Sequence, residues 1–133
     1  MPSQENLLAQ QHDEQVVVTL PEEIDMTNSS RLRETLLAVI SRQPAVVVAD
    51  MTATTFCDCS GMTAIFAAYR QAVAAGADMR LVIRHPTARR VFELLGLDTV
   101  ISVYPDLATA MSGRAETMAS GGRARRDARL CQA

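Results

Sequence analysis

The chain of 133 residues contains no Trp and no Lys, and only 4% of its residues are aromatic. Hydrophobic residues nevertheless make up 48% of the sequence, so we expect a mainly aliphatic core. The length indicates a single domain. All 13 basic residues are Arg and stand against 15 acidic residues, which gives a net charge of -2. This balance gives the whole chain no electrostatic basis for direct DNA binding.

Cysteine and histidine are too few and too scattered for a disulfide framework or a metal site. Cys57 and Cys59 lie one residue apart, and Cys131 lies near the C-terminus. An odd number of cysteines does not pair completely. A structural zinc site normally draws on four ligands, and His12 and His85 lie far apart in the sequence. We therefore expect neither a metal nor another cofactor.

Apolar runs are short, and none approaches the roughly 18 residues that a membrane span requires. Residues 1–14 are polar and lack the apolar segment of a signal peptide. These features predict a cytoplasmic protein that does not associate with a membrane.

The two ends of the chain differ in composition from the middle. Residues 1–13 are expected to be a polar, partly ordered segment, and residues 14–111 a folded domain. Residues 112–133 are rich in Gly, Ser and Arg, with five Arg against two acidic residues. Because few large apolar side chains are present to offset the entropy of ordering, we expect a basic, disordered tail. This tail is either simply solvated or an electrostatic arm toward an acidic partner or a nucleic acid.

Strand and helix patterns alternate along the middle of the chain. Residues 45–49 form a continuous apolar run, typical of a strand covered on both faces. By contrast, Leu32, Leu36, Val39 and Ile40 recur at helical spacing. Such alternation predicts an α/β domain with a mixed, mostly parallel sheet of about four to five strands, packed by about four helices.

Several local features are expected to support these elements. Thr27 or Asn28 is placed to cap the first helix. Phe56 and Cys57 are expected to re-enter the core after the central strand. Val91, Phe92, Leu94 and Leu95 are expected to make a third helix that Gly96 ends.

The segment 56–62 carries the most functional information. It joins a buried strand end to the start of a helix, where free backbone N–H groups and the helix dipole favour an anion. Asp58 is expected to cap this helix. Ser60 lies in the first turn, where a phosphoryl group is favoured by the helix dipole and opposed only by Asp58. Gly61 leaves room for another backbone or a ligand.

Four motifs in this order resemble the STAS domains of anti-sigma-factor antagonists. The first is Glu22-Glu23-Ile24-Asp25, the second is Asp58-Cys59-Ser60-Gly61, and the other two are the segments 75–81 and 91–98. The resemblance covers roughly residues 15–111 and implies a STAS-like single domain.

The resemblance implies a regulator without catalytic activity. Such proteins bind an anti-sigma factor that has the fold of a histidine-kinase-like ATPase, and this binding releases a sigma factor. The anti-sigma factor can phosphorylate the antagonist on Ser or Thr at the helix N-terminus, which ends the interaction. The corresponding partner-binding residues here are Asp25, Met26, Thr27, Asn28, Asp58, Cys59, Ser60, Gly61 and Met62.

Two residues depart from the family pattern. Cys59 occupies the family's phosphoacceptor position, directly after the motif Asp, and a thiol is not a normal substrate of a serine kinase. Three alternatives stay open: the switch is disabled, Ser60 is the phosphoacceptor, or control operates through the thiol. Glu22 replaces the glycine of the first motif and adds a negative charge to the loop that is expected to face the partner.

A second hypothesis is a STAS subunit of a larger assembly, such as a lipid-transport accessory or a signalling scaffold, with no phospho-switch. An enzyme is not expected, because no base, nucleophile or metal set accompanies Asp25 and Asp58. The sequence leaves open whether the chain forms a weak homodimer.

Overall fold

A computed structural model describes residues 8–112, which form seven strands and four α-helices. The strands are β1 Leu8–His12, β2 Gln15–Thr19, β3 Glu23–Ile24, β4 Val46–Met51, β5 Phe56–Cys57, β6 Asp78–Ile83 and β7 Ser102–Tyr104. The α-helices are α1 Ser29–Ile40, α2 Cys59–Ala74, α3 Pro86–Leu94 and α4 Leu107–Ser112. A 3₁₀ turn spans Leu97–Thr99.

Five strands form one mixed sheet in the order β1-β2-β4-β6-β7. β1 is antiparallel to β2, and every other neighbouring pair is parallel. Each parallel pair is joined through a helix, as such crossovers require. The predicted α/β fold, with a mostly parallel sheet and four helices, is confirmed.

The sheet is covered on both faces. Alternate residues of β4 show this, since Val47 packs in the core shared by α1, α2 and α3, whereas Val48 packs with Ala110 of α4. The α1 stripe predicted from helical spacing is buried as expected. Burial on both faces explains why β4 is a continuous apolar run.

The sheet begins earlier in the chain than residue 14. β1 lies within the segment 1–13 that was expected to be only partly ordered, and its residues 8–12 pair in register with β2. Residues 1–7 and 113–133 lie outside the described residues, and so do the expected disordered tail and Cys131. Ser112 is the last residue of α4.

Phe56, which was expected to enter the core, is exposed, and so are two leucines near the end of α3. Phe56 is 49% exposed because Cys57, its neighbour in β5, points inward and successive strand residues face opposite sides. Leu94 is 71% exposed and Leu95 is 49% exposed. The buried side of α3 is formed by Ala88 and Phe92. Leu94, the last residue of the helix, lies off that side, and Leu95 is the C-cap residue that follows the helix.

The loops that follow β2 and β4 lie at the same edge of the sheet and are bonded to each other. The Thr54 hydroxyl is buried and donates to the Pro21 carbonyl at 2.7 Å. The Thr55 backbone N–H donates to the Glu22 carbonyl at 2.9 Å. These bonds bring β3, in the first loop, alongside β5, in the second, as a separate two-stranded parallel sheet.

Candidate partner-binding site

The start of α2 is held by the Asp58 side chain. Its Oδ1 atom accepts the backbone N–H of Ser60 at 2.9 Å and that of Gly61 at 3.2 Å. The Ser60 hydroxyl donates to the same oxygen at 2.6 Å. These contacts hold the pKa of Asp58 below its usual range, and the hydrogen bond from the Ser60 hydroxyl has the largest effect. The predicted cap is confirmed, and Ser60 is part of it.

The loop before α1 is closed by its own side chains. Asp25 Oδ1 accepts the Thr27 backbone N–H at 2.9 Å and the Thr27 hydroxyl at 2.5 Å. Asn28 Oδ1 accepts the Asp25 backbone N–H at 3.0 Å, and Asn28 Nδ2 donates to the Glu23 carbonyl at 2.8 Å.

The predicted cap position of α1 is confirmed at Asn28, but the cap has no side-chain hydrogen bond to the helix. The Asn28 amide is engaged by the backbone of the preceding loop instead, so the same side chain is not available to the first turn of α1.

The pairing of β3 with β5 brings the two loops together. Ile24 is paired with Cys57, and the Asp58 backbone N–H donates to the Ile24 carbonyl at 3.0 Å. Asp25 and Asp58 thus directly follow paired strand residues, and the structure places the two predicted segments side by side.

The predicted partner-binding residues differ in exposure. Met26 is 78% exposed, and Thr27 and Cys59 are also exposed. The other polar members of the predicted set are partly buried: Asp25, Asn28, Asp58 and Ser60. Gly61 and Met62 are buried, so they support the surface from beneath and do not offer contacts to a partner.

Gly61 has a different role from the one expected. A Cβ atom at this position would lie 2.5 Å from Ile24 Cγ2 and 2.6 Å from Cys57 Sγ. The glycine therefore makes room for side chains of β3 and β5 rather than for a ligand or another backbone.

The two cysteines of this segment lie in different environments, and both are free. Cys57 is in the core, where burial raises the pKa of its thiol to about 12. Cys59 is exposed in the first turn of α2. Within residues 8–112 no three His, Cys, Asp or Glu side chains are grouped so as to hold a metal ion.

Phe56 is exposed close to these loops, and the sequence did not predict this exposure. Glu23 and Phe56 are paired across β3 and β5, and both are exposed, while Ile24 and Cys57 are buried on the other side. Strand alternation was the signal that contained this information, since an inward Cys57 requires an outward Phe56.

Comparison with known proteins identifies similar sequences. The family model described as "STAS domain" matches residues 6–110. The anti-sigma-F factor antagonist RsfB of Mycobacterium tuberculosis is 28% identical over 102 residues, which cover 77% of this chain and 83% of RsfB.

Solved structures give the same picture. An anti-sigma factor antagonist from Mycobacterium paratuberculosis is 31% identical and superposes with a TM-score of 0.75, over 80% of this chain and 91% of that chain. The phosphorylated form of the Bacillus cell fate determinant SpoIIAA has a TM-score of 0.63 at 21% identity, over 81% of this chain and 99% of that chain. At that identity the second likeness concerns the fold alone.

Among the described residues, no helix is long and apolar enough to cross a membrane.

Replacing Gly61 with Ala is expected to destabilise the protein by about 1–3 kcal/mol, because the added methyl group overpacks the space between Ile24 and Cys57. Urea unfolding measures the change. Thr63→Ala, on the exposed side of α2, is the control and should change stability by less than about 0.5 kcal/mol. Cys57→Ala should recover part of the loss in the Gly61→Ala background. An unchanged midpoint for Gly61→Ala would contradict the close packing.

The Asp58 cap predicts a pH-dependent contribution to stability. Because the pKa of Asp58 is lowered in the folded state, its contribution is fully present above the unfolded-state pKa, about 4, and is lost as the pH falls through the folded-state pKa. The difference in thermal midpoint between the wild type and Asp58→Asn should therefore shrink below about pH 4. Ser60→Ala removes the hydrogen bond that lowers the pKa of Asp58 most. The folded-state pKa should therefore rise, and the loss of stability should begin at a higher pH. Profiles that stay parallel down to acid pH would argue against the cap.

Proposed function

Because the chain belongs to the STAS domain family, we propose that it is an anti-sigma-factor antagonist. It binds an anti-sigma factor with a histidine-kinase-like ATPase fold in the cytoplasm and so releases a sigma factor. It serves as ligand and substrate of that partner rather than as an enzyme. The names of RsfB and of the Mycobacterium paratuberculosis protein support this function. The observation that carries the proposal is the exposed edge at which the Asp25 loop adjoins the Asp58–Ser60 cap.

The partner-binding surface is built by the exposed and partly buried members of the predicted set, whether they contact the partner or hold their neighbours in place. They are Asp25, Met26, Thr27, Asn28, Asp58, Cys59 and Ser60. Hydrogen bonds within each loop hold this surface in shape before a partner arrives, which lowers the entropy cost of binding.

Ser60 is the proposed phosphoacceptor. Its hydroxyl already donates to Asp58 Oδ1 at 2.6 Å, so this carboxylate is placed to take the proton. The Ser60 oxygen then attacks the γ-phosphorus of a nucleoside triphosphate held by the partner, and the nucleoside diphosphate leaves. The step forms one phosphoester bond and breaks one phosphoanhydride bond.

The phosphoryl group would change the site electrostatically. It brings a charge of about −1.5 to −2 next to the Asp58 carboxylate, where a hydrogen bond existed before. It also competes with that carboxylate for the backbone N–H groups of Ser60 and Gly61. The cap is therefore rearranged at the surface that the partner contacts, and this ends binding.

The alternative is a STAS subunit of a larger assembly without a phospho-switch. The presence of Cys59 at the family's phosphoacceptor position favours it, since a thiol is not the substrate of a serine kinase. Under this alternative the same edge is a constitutive contact and Ser60 only supports the helix start.

The function is tested in two steps. The intact chain is first captured with its partners from its own cell lysate, and the partners are identified by mass spectrometry. The affinity of the chain for the purified partner is then measured. We expect a histidine-kinase-like anti-sigma factor whose binding is weakened roughly tenfold or more by Asp25→Ala. Asp98→Ala, in the 3₁₀ turn after α3, is the matched control and should leave the affinity unchanged. Recovery of transport or scaffold components alone would favour the assembly subunit.

Phosphorylation by that partner distinguishes Ser60 from Cys59. Ser60→Ala should abolish incorporation of phosphate from labelled ATP, and Cys59→Ala should not. Cys59→Ser restores the family residue and should give an equal or better substrate. Incorporation that survives Ser60→Ala and disappears with Cys59→Ala would refute the assignment of Ser60.

A further inference from the structure

Met26 is an apolar side chain held outward by a closed loop. It is 78% exposed, yet both of its neighbours are fixed, because Asp25 Oδ1 holds Thr27 by its N–H and its hydroxyl. Asn28 closes the same loop by accepting from the Asp25 N–H and donating to the Glu23 carbonyl. The loop thus holds the apolar Met26 side chain in the solvent at a fixed backbone position, although its exposure costs free energy.

Phe56 is a second exposed apolar side chain at the same edge. It lies in β5, opposite Glu23 of β3, and is 49% exposed. Its backbone N–H donates to the Glu22 carbonyl at 3.4 Å. Met26 follows β3 by two residues and Phe56 lies in β5, so the pairing of these strands brings the two backbone segments that carry the exposed side chains together.

Exposed acidic side chains border this apolar pair. Glu22 and Glu23 are both exposed. The ion pairs found within residues 8–112 join Asp78 to Arg80 and Arg89 to Glu93, so neither glutamate is neutralised by a cation of the described chain.

We propose that Met26 and Phe56 are the apolar anchors of the partner-binding surface, and that Asn28 is the positioning residue that presets Met26. The partner presents an apolar socket bordered by Arg or Lys side chains that face Glu22 and Glu23. This inference rests on the proposed function and names the chemistry of the partner's side. Apolar anchors within a polar rim are the usual arrangement of residues that dominate binding energy.

The charges select the anti-sigma factor over a second copy of this chain as the occupant. A symmetric dimer through this edge would place the same patch on both sides of the contact. Both sides of that contact would then carry Glu22 and Glu23, and like charges across an interface oppose association. A partner with cations around its socket meets no such opposition.

A double-mutant cycle on the full-length chain tests the role of Asn28. The affinity for the purified anti-sigma factor is measured for the wild type, Met26→Ala, Asn28→Ala and the double variant. Each single substitution should weaken binding roughly tenfold, and the double should be scarcely weaker than Met26→Ala, since Asn28 acts through Met26. Asn28→Asp keeps the acceptor for the Asp25 N–H, loses the donor to Glu23, and should be intermediate.

Controls separate binding from folding and from general hydrophobicity. Leu94→Ala removes a similarly exposed apolar side chain on α3 and should leave the affinity unchanged. Thermal unfolding confirms that each variant is folded. Glu22→Gln with Glu23→Gln should weaken the salt dependence of binding, because two charges facing the partner's cations are removed.

The outcomes distinguish this inference from the proposed function. If the wild type binds no anti-sigma factor, the function fails and the inference with it. If the wild type binds and Met26→Ala binds equally well, only the inference fails. Additive losses in the double variant would overturn the positioning role of Asn28. Dissociation of a wild-type dimer by Met26→Ala, seen by sedimentation, would overturn the choice of occupant.

Discussion

The parallel pairing of β3 with β5 is the contact on which the site depends. Only two residues of each strand take part, and Ile24 and Cys57 turn inward to the core while Glu23 and Phe56 face outward. The next hydrogen bond, from the Asp58 N–H to the Ile24 carbonyl, fixes the backbone directly before α2. Gly61 permits this approach, since any larger residue would meet Ile24 and Cys57. The core packing directly beneath the surface therefore determines the positions of its two loops.

Asp58 links the stability of the fold to the proposed switch. One carboxylate oxygen accepts two backbone N–H groups of α2 and the Ser60 hydroxyl. A phosphoryl group on Ser60 would remove the last of these donors and compete for the other two. A local covalent change at one hydroxyl would thus alter the helix start without requiring a change elsewhere in the sheet.

The sequence predicted those features that depend on local chemistry or on long periodic patterns. The alternation of apolar runs predicted the sheet and its helices, and Asp58 was recognisable as a cap because its partners lie two and three residues further along. The role of Asn28 was not predictable in this way. Its hydrogen-bond partners, the Glu23 carbonyl and the Asp25 N–H, precede it in the sequence. They lie within hydrogen-bond distance of the Asn28 amide because β3 is held by its pairing with β5. A two-residue strand such as β5 is likewise too short for its alternation to stand out, so Phe56 was assigned to the core.

The substitution at residue 59 is understandable from the same geometry. Among the hydrogen bonds of the described residues, those that fix the helix start are made by the side chains of Asp58 and Ser60 and by backbone groups, and none involves the Cys59 thiol. The side chain at 59 is exposed, so we expect exchange between Ser and Cys to leave the cap and the packing at Gly61 unchanged. The frame of the site is thus independent of the residue at the family's phosphoacceptor position. The adjacent Ser60 hydroxyl donates to Asp58 Oδ1, and this contact is the reason why Ser60 rather than residue 59 is the proposed phosphoacceptor.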